Sequence, residues 1–217
     1  MTDTQPAAGQ QRRAFWLKHL HQWHWISSAI CLVGMLLFAV TGFTLNHAGQ
    51  IEARPAVQTR HATLPTRVLD KVRAAAPAGA RASETRAPVP AVLADWLAQA
   101  LDIDASGREA DWSADEIYVA LPRPGGDAWV SIALDSGEAQ YENTSRGAIS
   151  YLNDLHKGRN TGAAWSLVLD AFALACLVFC VTGLFLLKLH AGGRVATWPL
   201  VGLGLVVPVL LAILFIH

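Results

Sequence analysis

Five of the eight histidines in this 217-residue chain stand at the ends of long apolar runs. His21 and His24 precede the first run and His47 follows it, while His156 precedes the second and His190 follows it. If the two runs are antiparallel neighbouring helices, His21 or His24 comes near His190, and His47 comes near His156. Two neutral imidazoles offered by facing helices are the axial donors of a six-coordinate b-type haem. His21 and His47 are 26 residues apart, about 80° around an ideal helix, so one helix face can serve both pairs. The competing reading is that histidines at helix ends are interfacial anchors, like the Trp and Asn beside them. A histidine-bound Cu or Zn ion is a further possibility for the same residues. Four matched ends favour haem b, one or two per chain.

Other residues with chemical potential are fewer. Thr41-Gly42 and Thr182-Gly183 sit inside the two runs, and each glycine removes a side chain where a flat macrocycle or another helix must come close. Asp170 could relay protons, or could be a carboxylate at headgroup level. Cys31, Cys176 and Cys180 all fall within apolar runs. Cys176 and Cys180 share a helix face, as a metal-binding pair would, but small apolar packing residues are the simpler reading.

These residues need helices to carry them, and the hydropathy pattern supplies three. Residues are 53% hydrophobic, and the apolar ones collect in runs rather than spreading as a soluble core would require. Trp25 to Leu45 contains no charge and is about 31 Å of helix, enough to cross hydrocarbon. Ala171 to Leu187 and Trp198 to Ile216 are likewise uncharged. The first run begins too far into the chain, and runs too long, for the core of a cleaved signal peptide. Arg12, Arg13 and Lys18 precede span 1, and Lys188 and Arg194 follow span 2. The positive-inside rule therefore predicts a cytoplasmic N-terminus, a periplasmic insert and an outer C-terminus at His217 of a bacterial inner-membrane protein. The net charge of zero gives no reason to expect a nucleic-acid partner.

The predicted organisation is a cytoplasmic lead-in at 1–24, with residues 1–11 polar and disordered, and a first transmembrane helix at 25–47. A soluble insert at 48–161 follows, then a second span at 162–190, a cytoplasmic loop at 191–197 and a third span at 198–217. Within the insert, Leu64 to Ala76 and Val89 to Leu101 read as amphipathic helices, with Trp96 on the apolar side of the second. Ala78 to Pro90 reads as a loop. Glu116 to Leu121, Ala128 to Leu134 and Glu138 to Tyr141 read as strands joined by turn-forming segments. The fold class is an α-helical membrane protein of three spans with a small α+β domain between the first and second. The insert has no cysteine and needs no disulfide.

An internal repeat ties the spans together. Leu20-His21 opens a segment that ends Val40-Thr-Gly-Phe-Thr-Leu-Asn-His47, and Leu155-His156 opens one that ends Val181-Thr-Gly-Leu-Phe-Leu186, with His190 after it. Leu20-His-Gln-Trp-His-Trp25, the Thr-Gly before Leu45-Asn-His47, and Leu155-His-Lys-Gly158 resemble the PepSY-associated transmembrane helix family. Val130 to Glu138 is similar to the strand–turn end of a PepSY domain, although the usual Thr before the turn glycine is missing.

The resemblance implies an inner-membrane reductase of ferric iron or ferrisiderophore that supports iron uptake, with haem b as cofactor. It carries over to His21 and His156; His47 and His190 rest on the repeat. Larger relatives have four or more spans, so a homodimer is the expected way for this shorter chain to complete its bundle. No Gly-x-Gly-x-x-Gly strand–helix turn is present, so the electron donor is expected to be a quinol or a separate cytosolic reductase. The rival reading is a non-catalytic, membrane-anchored PepSY adaptor or inhibitor that binds a periplasmic protein. A metal permease is disfavoured because three spans supply little pore.

Overall fold

A computed structural model describes residues 5–51, 54–80 and 84–216, with side chains from residue 9 onward. The expectations for residues 1–4, for part of the 78–90 loop and for His217 fall outside the described residues. The chain divides into two compact units, Met1–Leu36 with Val168–His217, and Leu37–Leu167.

The first unit is helical. Helix α1 runs Gln5–Asn46, starting well before the point expected from the polar composition of residues 1–11. Pro6 stands in its first turn, where a missing N–H costs nothing. Helices α5 (Gly162–His190) and α6 (Thr197–Phe215) complete the set, with α1 from Leu37 onward and α5 up to Leu167 belonging to the second unit. All three are long and apolar enough to cross a membrane. Their few polar side chains are satisfied locally: the Ser27 hydroxyl donates to the Trp23 carbonyl at 2.7 Å, one turn back on the same helix. In this unit Gly34 lies against Phe172, whose ring would stand 2.3 Å from a Cβ at position 34, so any larger residue there would force the ring to shift. No residue of α6 is buried.

The second unit is built on a six-stranded antiparallel sheet. In chain order its elements are β1 (Ala56–Thr63), α2 (Thr66–Ala74), β2 (Thr85–Pro88), α3 (Ala91–Leu101), β3 (Glu109–Trp112), β4 (Glu116–Ala120), β5 (Gly126–Ala133), β6 (Glu138–Ser145) and α4 (Ala148–Lys157). The strand order is β1-β6-β5-β4-β3-β2. Alternate residues of β5 are buried, among them Val130 and Ile132, as one-faced burial of a sheet requires. Leu69 and Val72 of α2 and Leu93 and Leu97 of α3 join them in one core. That core also holds Trp112, which is 1% exposed.

Both insert helices start two residues later than their hydrophobic pattern suggests. Pro65 and Pro90 occupy the cap positions, and a proline pushes the residue before it out of the helical region. Leu64 and Val89 are consequently extended, donating their N–H groups to Gly137 and Arg108 carbonyls at 2.8 Å. The β5–β6 hairpin turns through Gly137 at φ +75°, a conformation glycine adopts without strain.

Candidate functional site

In the first unit, α1 and α5 bring two of the expected histidines together. The rings of His21 and His190 lie 5.8 Å apart, centroid to centroid, with planes at 89°. Each ring donates Nδ1–H to the carbonyl one turn back on its own helix, His21 to Leu17 at 2.9 Å and His190 to Leu186 at 2.8 Å. A carbonyl can only accept, so both Nδ1 atoms carry the hydrogen, which in a neutral ring leaves the lone pair on Nε2. This is the tautomer of a metal-ligating histidine, whose other nitrogen is commonly tied to a backbone carbonyl or carboxylate.

His24 belongs to a different arrangement. Its Nδ1 lies 3.0 Å from Oγ1 of Thr182, and its ring stacks on Phe179 at 4.7 Å and 14°. Gly183 makes room: a Cβ there would sit 3.2 Å from His24 Cε1. The Thr182 hydroxyl is already spent, donating to the Val178 carbonyl at 2.7 Å. With its one hydrogen used, Oγ1 can only accept from the imidazole.

The second unit repeats this arrangement with a histidine from α4. His156 Nδ1 lies 2.7 Å from Oγ1 of Thr41, whose hydroxyl donates to the Leu37 carbonyl at 2.9 Å. The His156 ring lies 4.6 Å from Phe38, and a Cβ at Gly42 would be 3.6 Å from its Cε1. Three further contacts hold α4 in place. Thr44 donates to Asn153 Oδ1 at 2.8 Å, buried Asp154 accepts the Gly125 N–H at 2.8 Å, and Trp165 Nε1 donates to the Leu155 carbonyl at 2.9 Å. Arg159 stands 3.6 Å from Asp154 and balances that buried carboxylate.

His47 and His156, expected as a pair, do not meet. His47 donates Nδ1–H to the Phe43 carbonyl at 3.0 Å and packs on Phe43. His156 is taken by Thr41, because a hydroxyl whose hydrogen points into its own helix is a ready acceptor. The sequence singled out Thr41 and Thr182 only for the glycines beside them; their role as histidine acceptors, and Phe38 and Phe179 as ring partners, were missed. A signal for them exists: Phe38-Ala-Val-Thr-Gly42 and Phe179-Cys-Val-Thr-Gly183 are the same five-residue pattern.

These residues can be tested against the requirements of a b-type haem. His21 and His190 supply the donor set, two imidazoles from two helices whose Nδ1–H groups are tied to backbone carbonyls, which leaves Nε2 as the ligating nitrogen of each neutral ring. A groove of about 430 Å³ lies alongside them in the same unit, lined in part by Leu20 and Leu189, the residues just before each histidine. The His156 cradle does not fit in this conformation. The cavity beside it is about 30 Å³, room for one or two waters and not for a macrocycle. Among the described residues, no three His, Cys, Asp or Glu side chains converge as a metal-ion site needs.

Fold and site together define a protein with three helices long and apolar enough to cross a membrane, an α+β domain inserted in sequence between the first and second, and a histidine pair shared by the first two. Residues 15–217 match the PepSY_TM-like family, and the chain belongs to it. No curated protein and no solved structure matches the chain.

Proposed function

We propose that the chain is a haem b-containing inner-membrane oxidoreductase, passing electrons outward to periplasmic ferric iron or ferrisiderophore in support of iron uptake. The observation that carries this is the His21–His190 pair, drawn from two spans, 5.8 Å apart and both in the ligating tautomer. Bound there, haem b would supply one-electron chemistry that no side chain of this protein offers. The protein's own part is to tie each Nδ1–H to its own helix, so that Nε2 is the nitrogen left for the iron. Backbone carbonyls do this without any further titratable group.

The positive flanks, Arg12, Arg13, Lys188 and Arg194, support a cytoplasmic side for this pair under the positive-inside rule, where a quinol or a cytosolic reductase would reach it. The sheet domain then faces the periplasm and the acceptor. A second haem further along α1 requires His156 to leave Thr41 and turn towards His47. Haem content therefore reports that movement directly, at one per chain with the cradle closed and two with it open.

The test is the reduced-minus-oxidised spectrum of the protein purified in mild detergent. A Soret band with sharp α-bands, and ferric-iron reduction lost in His190→Ala, is the expected result. The adaptor reading has one observation in its favour: β1 is an edge strand whose residues are nearly all exposed, the kind of edge a partner peptide can extend. A colourless protein that binds a periplasmic partner through β1 would establish that reading instead.

A further inference from the structure

The groove beside His21 and His190 has two kinds of lining. Trp16, Leu20, Phe185 and Leu189 form apolar walls, and Arg12, Arg13 and Lys188 stand with them. Among the described residues no carboxylate lines it, and none of the three cations has an ion-pair partner. Neither histidine ring is part of the lining, but their neighbours are: Leu20 and Leu189 directly precede them in the chain, and the Leu17 carbonyl accepts from His21. An apolar trough closed by three positive charges is complementary to a flat apolar body with an anionic edge. Its volume of about 430 Å³ falls within the range of small-molecule and cofactor pockets.

We propose that this groove receives the carboxylate-bearing edge of the haem held by His21 and His190, with Arg12, Arg13 and Lys188 pairing its two carboxylates. The assignment rests on the haem reading above and adds to it an orientation and a binding determinant. Arginine is suited to the role because its planar fork meets a carboxylate through two parallel N–H donors. These pairs are near water, so each contributes modestly and is weakened by salt.

The experiment titrates apo-protein in mild detergent with haem b and with haem b dimethyl ester, following the Soret band. The ester keeps ring and iron but loses both negative charges. Wild-type protein is expected to bind haem b roughly tenfold more tightly than the ester, the scale of two or three exposed ion pairs. That preference should shrink as salt rises. The triple variant Arg12→Gln/Arg13→Gln/Lys188→Gln should bind both forms alike, with its affinity for the ester unchanged. Equal wild-type affinity for the two forms at every salt concentration overturns the proposal and leaves the three cations to anionic lipid headgroups. If wild type binds neither form, the haem reading itself fails, which is a distinct result. If the triple variant alone binds neither, its fold is damaged, and the wild-type salt series decides.

Discussion

A threonine hydroxyl has one hydrogen to give, and at Thr41 and Thr182 it goes to the helix backbone. That single fact fixes His156 and His24 as Nδ1–H donors. Replacing Thr41 with Val should strand the His156 N–H and cost about 1–3 kcal/mol, whereas Thr41→Ser should recover most of the loss. Unfolding in detergent measures the difference, and ¹⁵N spectra of labelled histidine report whether the tautomer survives. The two glycines beside these threonines should respond differently to alanine. Gly183→Ala places its methyl 3.2 Å from His24 Cε1 and should displace that ring, while Gly42→Ala, at 3.6 Å from His156, is an ordinary contact and should be tolerated. Equal sensitivity of the two positions would mean that the two cradles are not packed as described.

Among the elements, the sheet depends most on a residue the sequence pattern does not advertise. Trp112 lies wholly buried in the four-residue strand β3, and Trp112→Ala should cost about 3–5 kcal/mol. Its indole N–H meets no acceptor among the described residues, so Trp112→Phe should cost much less, since no hydrogen bond is lost. Trp96, the ring expected to anchor the domain, is only partly buried at the core's margin, and its removal should cost about 1–2 kcal/mol. Denaturant titrations of the full-length variants rank the three. The strands legible in the sequence were those with alternating burial, β4 and β5, and the hairpin partner β6. Strand β1 is exposed nearly throughout and β2 is a Thr-Arg-Ala-Pro edge, so neither carries a hydrophobic period. Helix α4 was hidden because it buries Asn153 and Asp154, whose polar character reads as loop until Thr44 and Gly125 are seen to satisfy them.

For the whole molecule, three charge-free runs made the spans legible, while the pairing of histidines depended on contacts no spacing rule contains. Spacing led to His190 as the partner of His21 or His24 without choosing between them, and could not reveal that threonines would claim His24 and His156. The proposed topology predicts that an impermeant thiol reagent applied to intact cells labels Ser106→Cys in the sheet domain and not Gly193→Cys in the loop between α5 and α6; the reverse pattern would invert the orientation. The central claim concerns the His21–His190 pair, and the measurement closest to it is the low-temperature electron paramagnetic resonance spectrum of the ferric protein. The account predicts low-spin haem signals in wild type, their replacement by high-spin signals or loss of haem in both His21→Ala and His190→Ala, and no change in His61→Ala, whose ring lies in the sheet domain beside Glu138. Low-spin signal and haem content both undiminished in His21→Ala and His190→Ala, or a wild-type protein with no haem, would contradict it.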